Sequence, residues 1–179
     1  MLAQLGIRFL VDPAHVDESV RPGESPETYV VRLAQQKAQA VAARHPGSLV
    51  LGADTTVALE GEILGKPADV EEAKAMLRRL VGRTHQVHTA VATAGVRSGV
   101  QAVQTAVRFA DAEPEALAFY AQSGEPLDKA GGYALQGLGA FLVQSISGSH
   151  SSVIGLPLVE TLALLEAGGI RLPWEGPRH

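Results

Sequence analysis

The chain has 179 residues, 46% hydrophobic and 19% charged, with a formal net charge of −4 and no cysteine. That composition suits one globular domain with a sizeable core and excludes an intrinsically disordered chain. It also excludes disulfides and thiolate metal sites. With no basic stripe and no apolar run of spanning length, neither a nucleic-acid nor a membrane partner is expected. The opening residues, MLAQLGIRFL, lack the basic start and long apolar core of a signal peptide, so the expected location is the cytoplasm.

In chain order, Leu2 to Leu5 read as the last turn of a helix, with Gly6 as its stop. Ile7 to Val11 alternates enough for a strand. Asp12 to Glu24 is a polar loop with prolines at 13 and 22, and it carries the acidic pair Asp17 and Glu18. Ser25-Pro26-Glu27 is a helix start, with serine at the cap and proline in the first turn. The helix runs to about Arg44 with an apolar stripe of Val30, Leu33, Ala34, Ala38 and Val41. Lys37 falls on the same face, either snorkelling past the stripe or itself a cation held over a site lined by this helix.

Ser48 to Leu59, SLVLGADTTVAL, predicts a buried strand that opens onto a cleft. Its apolar beginning fits a sheet core, and Gly52 permits close approach. Asp54 then either caps a turn or presents a carboxylate to the cleft, with Thr55 and Thr56 beside it. Glu60-Gly61 suggests a tight hairpin returning through Ile63 and Leu64. Pro67 holds Lys66 extended. Asp69 and Glu72 form a capping box for a helix with the stripe Val70, Ala73, Met76, Leu77 and Leu80, closed by Gly82.

Thr84 to Gly95 and Val100 to Phe109 read as a long hairpin. Its His85 and His88 point to opposite faces and do not share a metal. Asp111 to Gln122 is a helix, stopped at Gly124. Glu125 to Gly155 is a glycine-dense loop, a short strand at Ala140 to Ile146 and a second loop. Leu156 to Ala167 is the last helix. Residues 1–170 are expected to form a single domain and 171–179 a tail.

No phosphate loop, dinucleotide fingerprint, serine elbow or H-E-x-x-H occurs. What remains is a scattered set: Glu18, Lys37, Asp54, Lys66, Asp128, Lys129 and Gln136. Carboxylates that hold a divalent metal or activate water, with lysines that neutralise phosphate oxygens, suit a metal-bound phosphate ester.

Several segments together resemble the Maf-type nucleoside triphosphate pyrophosphatases. They are YVVRLAQQKA (29–38), VLGADTTV (50–57), LGKP (64–67), THQVHTAV (84–91), EPLDKAGGYALQGLG (125–139) and VIGLPLVET (153–161). The resemblance implies an elongated α/β fold, a curved mixed sheet with flanking helices and a cleft between two lobes, similar to the inosine triphosphate pyrophosphatases. It implies hydrolysis of a Mg²⁺-bound triphosphate to the monophosphate and pyrophosphate. Asp54 would be the proton acceptor, Glu18 and Asp54 the metal partners, and Lys37, Lys66 and Lys129 the phosphate ligands. Thr55 and Gln136 correspond to positions that divide the family by substrate and match the branch acting on dTTP and UTP. A homodimer is also implied. Family members open with a strand and a loop reading roughly S-x-S-P-R-R, before a helix ending in L-L-x-x-L-G. Met1 to Gly6 match that helix end, so the arginine loop is expected to be missing. With it missing, the alternative to an active enzyme is a Maf-like nucleotide-binding regulator of septum formation and cell division.

Overall fold

Three long stretches rich in valine, threonine and alanine supply the sheet. The computed structural model describes residues 1–174, and residues 175–179 of the expected tail lie outside that range. Strands β1 (Leu49–Leu59), β2 (Glu62–Leu64), β3 (Thr84–Gly95), β4 (Gly99–Phe109) and β5 (Val143–Ser147) form one sheet in the order β2-β1-β3-β4-β5. Among the described residues, five α-helices flank it: α1 (Pro26–Ala42), α2 (Val70–Leu80), α3 (Pro114–Gln122), α4 (His150–Ile154) and α5 (Leu158–Ala167). The α/β class follows. Every pairing among the described strands is antiparallel, where the resemblance implies a mixed sheet.

Glu60 and Gly61 both have positive φ (54° and 87°), which is the type I′ geometry that a two-residue hairpin favours. This turn sends β2 back along β1, but only for three residues, with Val57 opposite Leu64 and Leu59 opposite Glu62. From Leu49 to Thr56 the same edge of β1 has no strand partner among the described residues. The other edge pairs with β3 from Leu49–Gly95 to Ala58–Gln86.

Two cores form, one on each face of the sheet. On one face the α1 stripe, with Val30, Ala34 and Ala38, meets Ala90, Ala92 and Ala94 of β3. These small residues let the helix lie very close: a Cβ on Gly52 would sit 2.6 Å from the Ala34 carbonyl oxygen and 2.7 Å from the Ala38 nitrogen. On the other face α2 and α3 pack Leu77, Leu80, Leu117 and Tyr120 against Val57, Val87, Val107, Phe109 and Tyr133. The α2 start is capped as expected, since Asp69 Oδ1 accepts from the Glu72 nitrogen at 2.8 Å. Glu72 itself accepts from Ala68 rather than from Asp69.

Four sequence expectations are corrected. Ile7 to Val11 forms no strand: no neighbour pairs with it, and Leu10 is 96% exposed. Helix α3 starts at Pro114 rather than Asp111, because proline suits the first turn and Glu113 takes the cap position. The late strand begins at Val143, since residues 138–142 are wound into a 3₁₀ turn. Helix α5 begins at Leu158, after Pro157 at its cap.

Candidate active site

A cavity of about 610 Å³ opens at the edge of β1 where the pairing with β2 stops. Successive strand residues point to opposite faces, so the cavity receives Asp54 from the α1 face and Thr55 from the other. Its lining includes Glu18, Tyr29, Lys37, Asp54, Thr55, Lys66, Asp128, Lys129 and Tyr133.

The centre is a carboxylate–ammonium–carboxylate cluster. Lys37 Nζ lies 2.7 Å from Asp54 Oδ1 and 2.6 Å from Glu18 Oε1. Lys37 reaches it because α1 sits so close to Gly52. Its ammonium lies in the cavity between the two carboxylates instead of reaching past the stripe to solvent. Asp54 is the most enclosed of the three, with its side chain 9% exposed. Burial pushes the Asp54 carboxyl above its ordinary range, and the hydrogen bond from Lys37 partly offsets this. Burial also pulls on the Lys37 ammonium, but its bonds to Asp54 and Glu18 win, and its pKa lies above the usual lysine value. The hydrogen bond from Lys37 holds Glu18 below the usual carboxylate range.

Glu18 arrives on a loop, and two side chains of α1 clamp that loop. Tyr29 Oη donates to the Glu18 carbonyl at 2.9 Å. Arg32 makes a fork to Glu24 at 2.6 and 2.7 Å and donates to the Ser19 carbonyl at 3.0 Å. The Arg32 guanidinium holds Glu24 down to about 2. Tyr29 and Tyr133 are cavity residues that sequence reasoning missed. Tyr29 stands eight residues before Lys37, two turns away on the same helix face, and that spacing was a usable signal. Tyr133 follows Gly131 and Gly132, and a Cβ on Gly131 would strike Val57 at 2.7 to 2.9 Å.

Lys66 lines the cavity and has no ion-pair partner among the described residues, whereas Lys129 is paired with Asp128 at 2.7 Å. Gln136 is exposed and is not among the residues lining the cavity. The backbone just after it is pinned instead: Glu125 accepts from the Leu138 and Gly139 nitrogens at 2.9 and 3.0 Å. His85 and His88 do lie on opposite faces. His85 meets Phe109 and Tyr133 in one core, and His88 sits near Glu27 and Val30 on the α1 side.

No group of three or more His, Cys, Asp or Glu among the described residues could hold a metal by itself. Glu18 and Asp54 nevertheless converge on one positive centre, as their shared bond to Lys37 shows. Two hard oxygen donors that converge on one point fit a divalent cation that prefers oxygen ligands. Charge balance favours the same arrangement. The acids Glu18, Asp54 and Asp128 offset the three cavity lysines, which leaves a triphosphate uncompensated without a further cation.

A strand-edge cleft on an α/β sheet, with three lysines, three carboxylates and apolar walls, is the candidate site. The family model for Maf-like proteins matches residues 1–168. The chain therefore belongs to the Maf family. It is 58% identical over 174 residues to the dTTP/UTP pyrophosphatase of Myxococcus xanthus (strain DK1622), covering 97% of this chain and 89% of that protein. It is 50% identical over 183 residues to the dTTP/UTP pyrophosphatase of Anaeromyxobacter sp. (strain Fw109-5), covering 99% and 87%. The corresponding protein of Symbiobacterium thermophilum is 49% identical over 170 residues, covering 94% and 88%.

Proposed function

We propose that this chain is a nucleoside triphosphate pyrophosphatase that hydrolyses dTTP and UTP to the monophosphate and pyrophosphate. The observation that carries this is the Asp54–Lys37–Glu18 cluster in a cavity of nucleotide size, in a chain whose relatives bear that name. Asp54 acts as general base. Its Oδ1 is engaged by Lys37, which leaves Oδ2 to hold a water and take its proton. The water oxygen bonds to the α-phosphorus, and the bridging oxygen departs with pyrophosphate. Lys66, with no ion-pair partner among the described residues, meets the phosphate chain, and Lys37 and Lys129 add positive charge as the leaving group becomes more anionic. Glu18 and Asp54 would hold a divalent cation, Mg²⁺ being the expected one, which supplies charge neutralisation on the phosphates when bound. Gln136 is assigned to base selection on the family match at Q-G-L-G. The working unit is a homodimer in the cytoplasm, with residues 1–170 as its domain, again by resemblance.

The test is pyrophosphate release from dTTP, UTP, dCTP and dATP with Mg²⁺. Turnover of dTTP and UTP well above the other two supports the assignment. Equal rates across all four remove the pyrimidine assignment, and release that is unchanged in Asp54→Asn removes the chemistry.

A further inference from the structure

The Thr55 hydroxyl lies 3.0 Å from the Thr89 hydroxyl, and the Thr89 hydroxyl lies 2.8 Å from the Ser152 carbonyl oxygen. Each of these oxygen–oxygen contacts needs one hydrogen between the atoms. A carbonyl has none to give, so the single Thr89 proton goes to Ser152. The hydrogen in the other contact must then come from Thr55. Thr89 is fully buried, so water cannot rearrange this chain. Thr55 lines the cavity with its proton already spent inward, and only its lone pairs face the ligand.

We propose that Thr89 is a positioning residue that fixes Thr55 as a hydrogen-bond acceptor, so that this side of the cavity selects a base with an N–H donor. The inference rests on the nucleotide reading above and deepens it. Asp54 and its lysine lie on the α1 face, whereas Thr55 shares its side with Val57, Val87, Tyr133, Val153 and Ile154, walls suited to a flat, weakly polar ring. Uracil and thymine offer an N–H at ring position 3, and cytosine offers a lone pair there. An acceptor locked against cytosine rejects it by leaving two lone pairs opposed.

The experiment measures binding of the α,β-methylene analogues of UTP, N3-methyl-UTP and CTP, with Mg²⁺, by calorimetry on the full chain. In the unaltered protein the UTP analogue should bind more tightly than the other two. Thr89→Val keeps the side-chain shape, removes the relay and lets the Thr55 proton turn outward. It should lower the UTP-over-CTP ratio by about tenfold, the size of one discriminating hydrogen bond. Thr89→Ser should keep the ratio within about twofold, because it restores the hydroxyl without the methyl group. In a Thr55→Val background, adding Thr89→Val should change the ratio no further. An unchanged ratio in Thr89→Val, a loss in Thr89→Ser equal to that in Thr89→Val, or equal binding of all three analogues by the unaltered protein would each overturn the inference. Should Thr89→Val fail to fold, Thr55→Val decides: a retained ratio overturns the inference and a lost ratio supports it. Base-selective binding without any hydrolysis of UTP would count against the pyrophosphatase function alone.

Discussion

At the scale of single residues, the chemistry turns on how one lysine is shared between two carboxylates. Asp54→Asn keeps the shape and a polar contact for Lys37 but cannot accept a proton. It is expected to lower kcat by about 100-fold or more with little change in KM, because general-base catalysis typically contributes that much. Lys37→Met tests the electrostatics. Burial already raises the Asp54 pKa and Lys37 pulls it back, so losing the ammonium lets it rise further. The acidic limb of the kcat/KM profile should therefore move to higher pH. A limb that stays in place, or moves down, would show that Lys37 does not govern Asp54. Local pattern could not decide between a turn cap and a catalyst for Asp54, because both use an aspartate after a glycine. The structure puts its carboxylate on the cavity, bonded to Lys37 of α1 seventeen positions away, a contact that no local spacing encodes.

At the scale of elements, α1 does three jobs, and each depends on its distance from β1. It buries its stripe, delivers Lys37, and clamps the Glu18 loop through Tyr29 and Arg32. Gly52→Ala would put a methyl group against the helix backbone at Ala34 and Ala38. Backbone cannot swing aside as a side chain can, so a loss of about 2 kcal/mol or more in unfolding free energy is expected, read by chemical denaturation. Arg32→Met should leave α1 folded but release the loop. Faster proteolytic cleavage between residues 12 and 24, and kcat/KM down by about tenfold, would mark Glu18 as misplaced. The helices and strands were largely legible because their stripes and caps are local: every α1 stripe residue read from periodicity is buried. The α3 and α5 starts turn on local prolines, and the other two failures lie where tertiary pairing decides. Ile7 to Val11 alternates like a strand but has no neighbour to pair with, and residues 138–142 are drawn into a turn beside the backbone bonds to Glu125.

At the scale of the whole molecule, the two cores differ in what they bury. The α1 side is made mainly of small apolar residues. The opposite side encloses His85, 1% exposed, with Nε2 2.8 Å from the Tyr133 hydroxyl and Nδ1 without a hydrogen-bond partner among the described residues. Burial pulls the His85 pKa from 6.5 to about 4. A folded-state pKa below the unfolded one means that the unfolded chain takes up the proton first as pH falls. Stability is therefore unaffected above about pH 6.5 and declines as pH drops from there towards 4. Thermal melts of the unaltered protein should show Tm falling across this window, and His85→Met should flatten that slope. An equal slope in both would assign the acid sensitivity elsewhere. The sequence alone placed the two histidines on opposite faces, since strand alternation is a matter of counting. It could not say that one is sealed beneath Tyr133, because that depends on the glycine pair turning the chain back over Val57.

Strand β1 carries its acid on one face and its hydroxyl on the other. A one-residue shift of register at Asp54 would exchange the faces, turning the carboxylate away from Lys37 and onto the side that Thr55 and Thr89 share. No compensating point change elsewhere could restore both partners at once. Length variation among natural variants should therefore be barred from Leu49 to Thr56 and tolerated at the exposed Arg97–Ser98 turn. The evolutionary freedom of this protein is set by position along one strand: odd steps exchange the faces, and even steps keep the face but carry the carboxylate about 7 Å from Lys37.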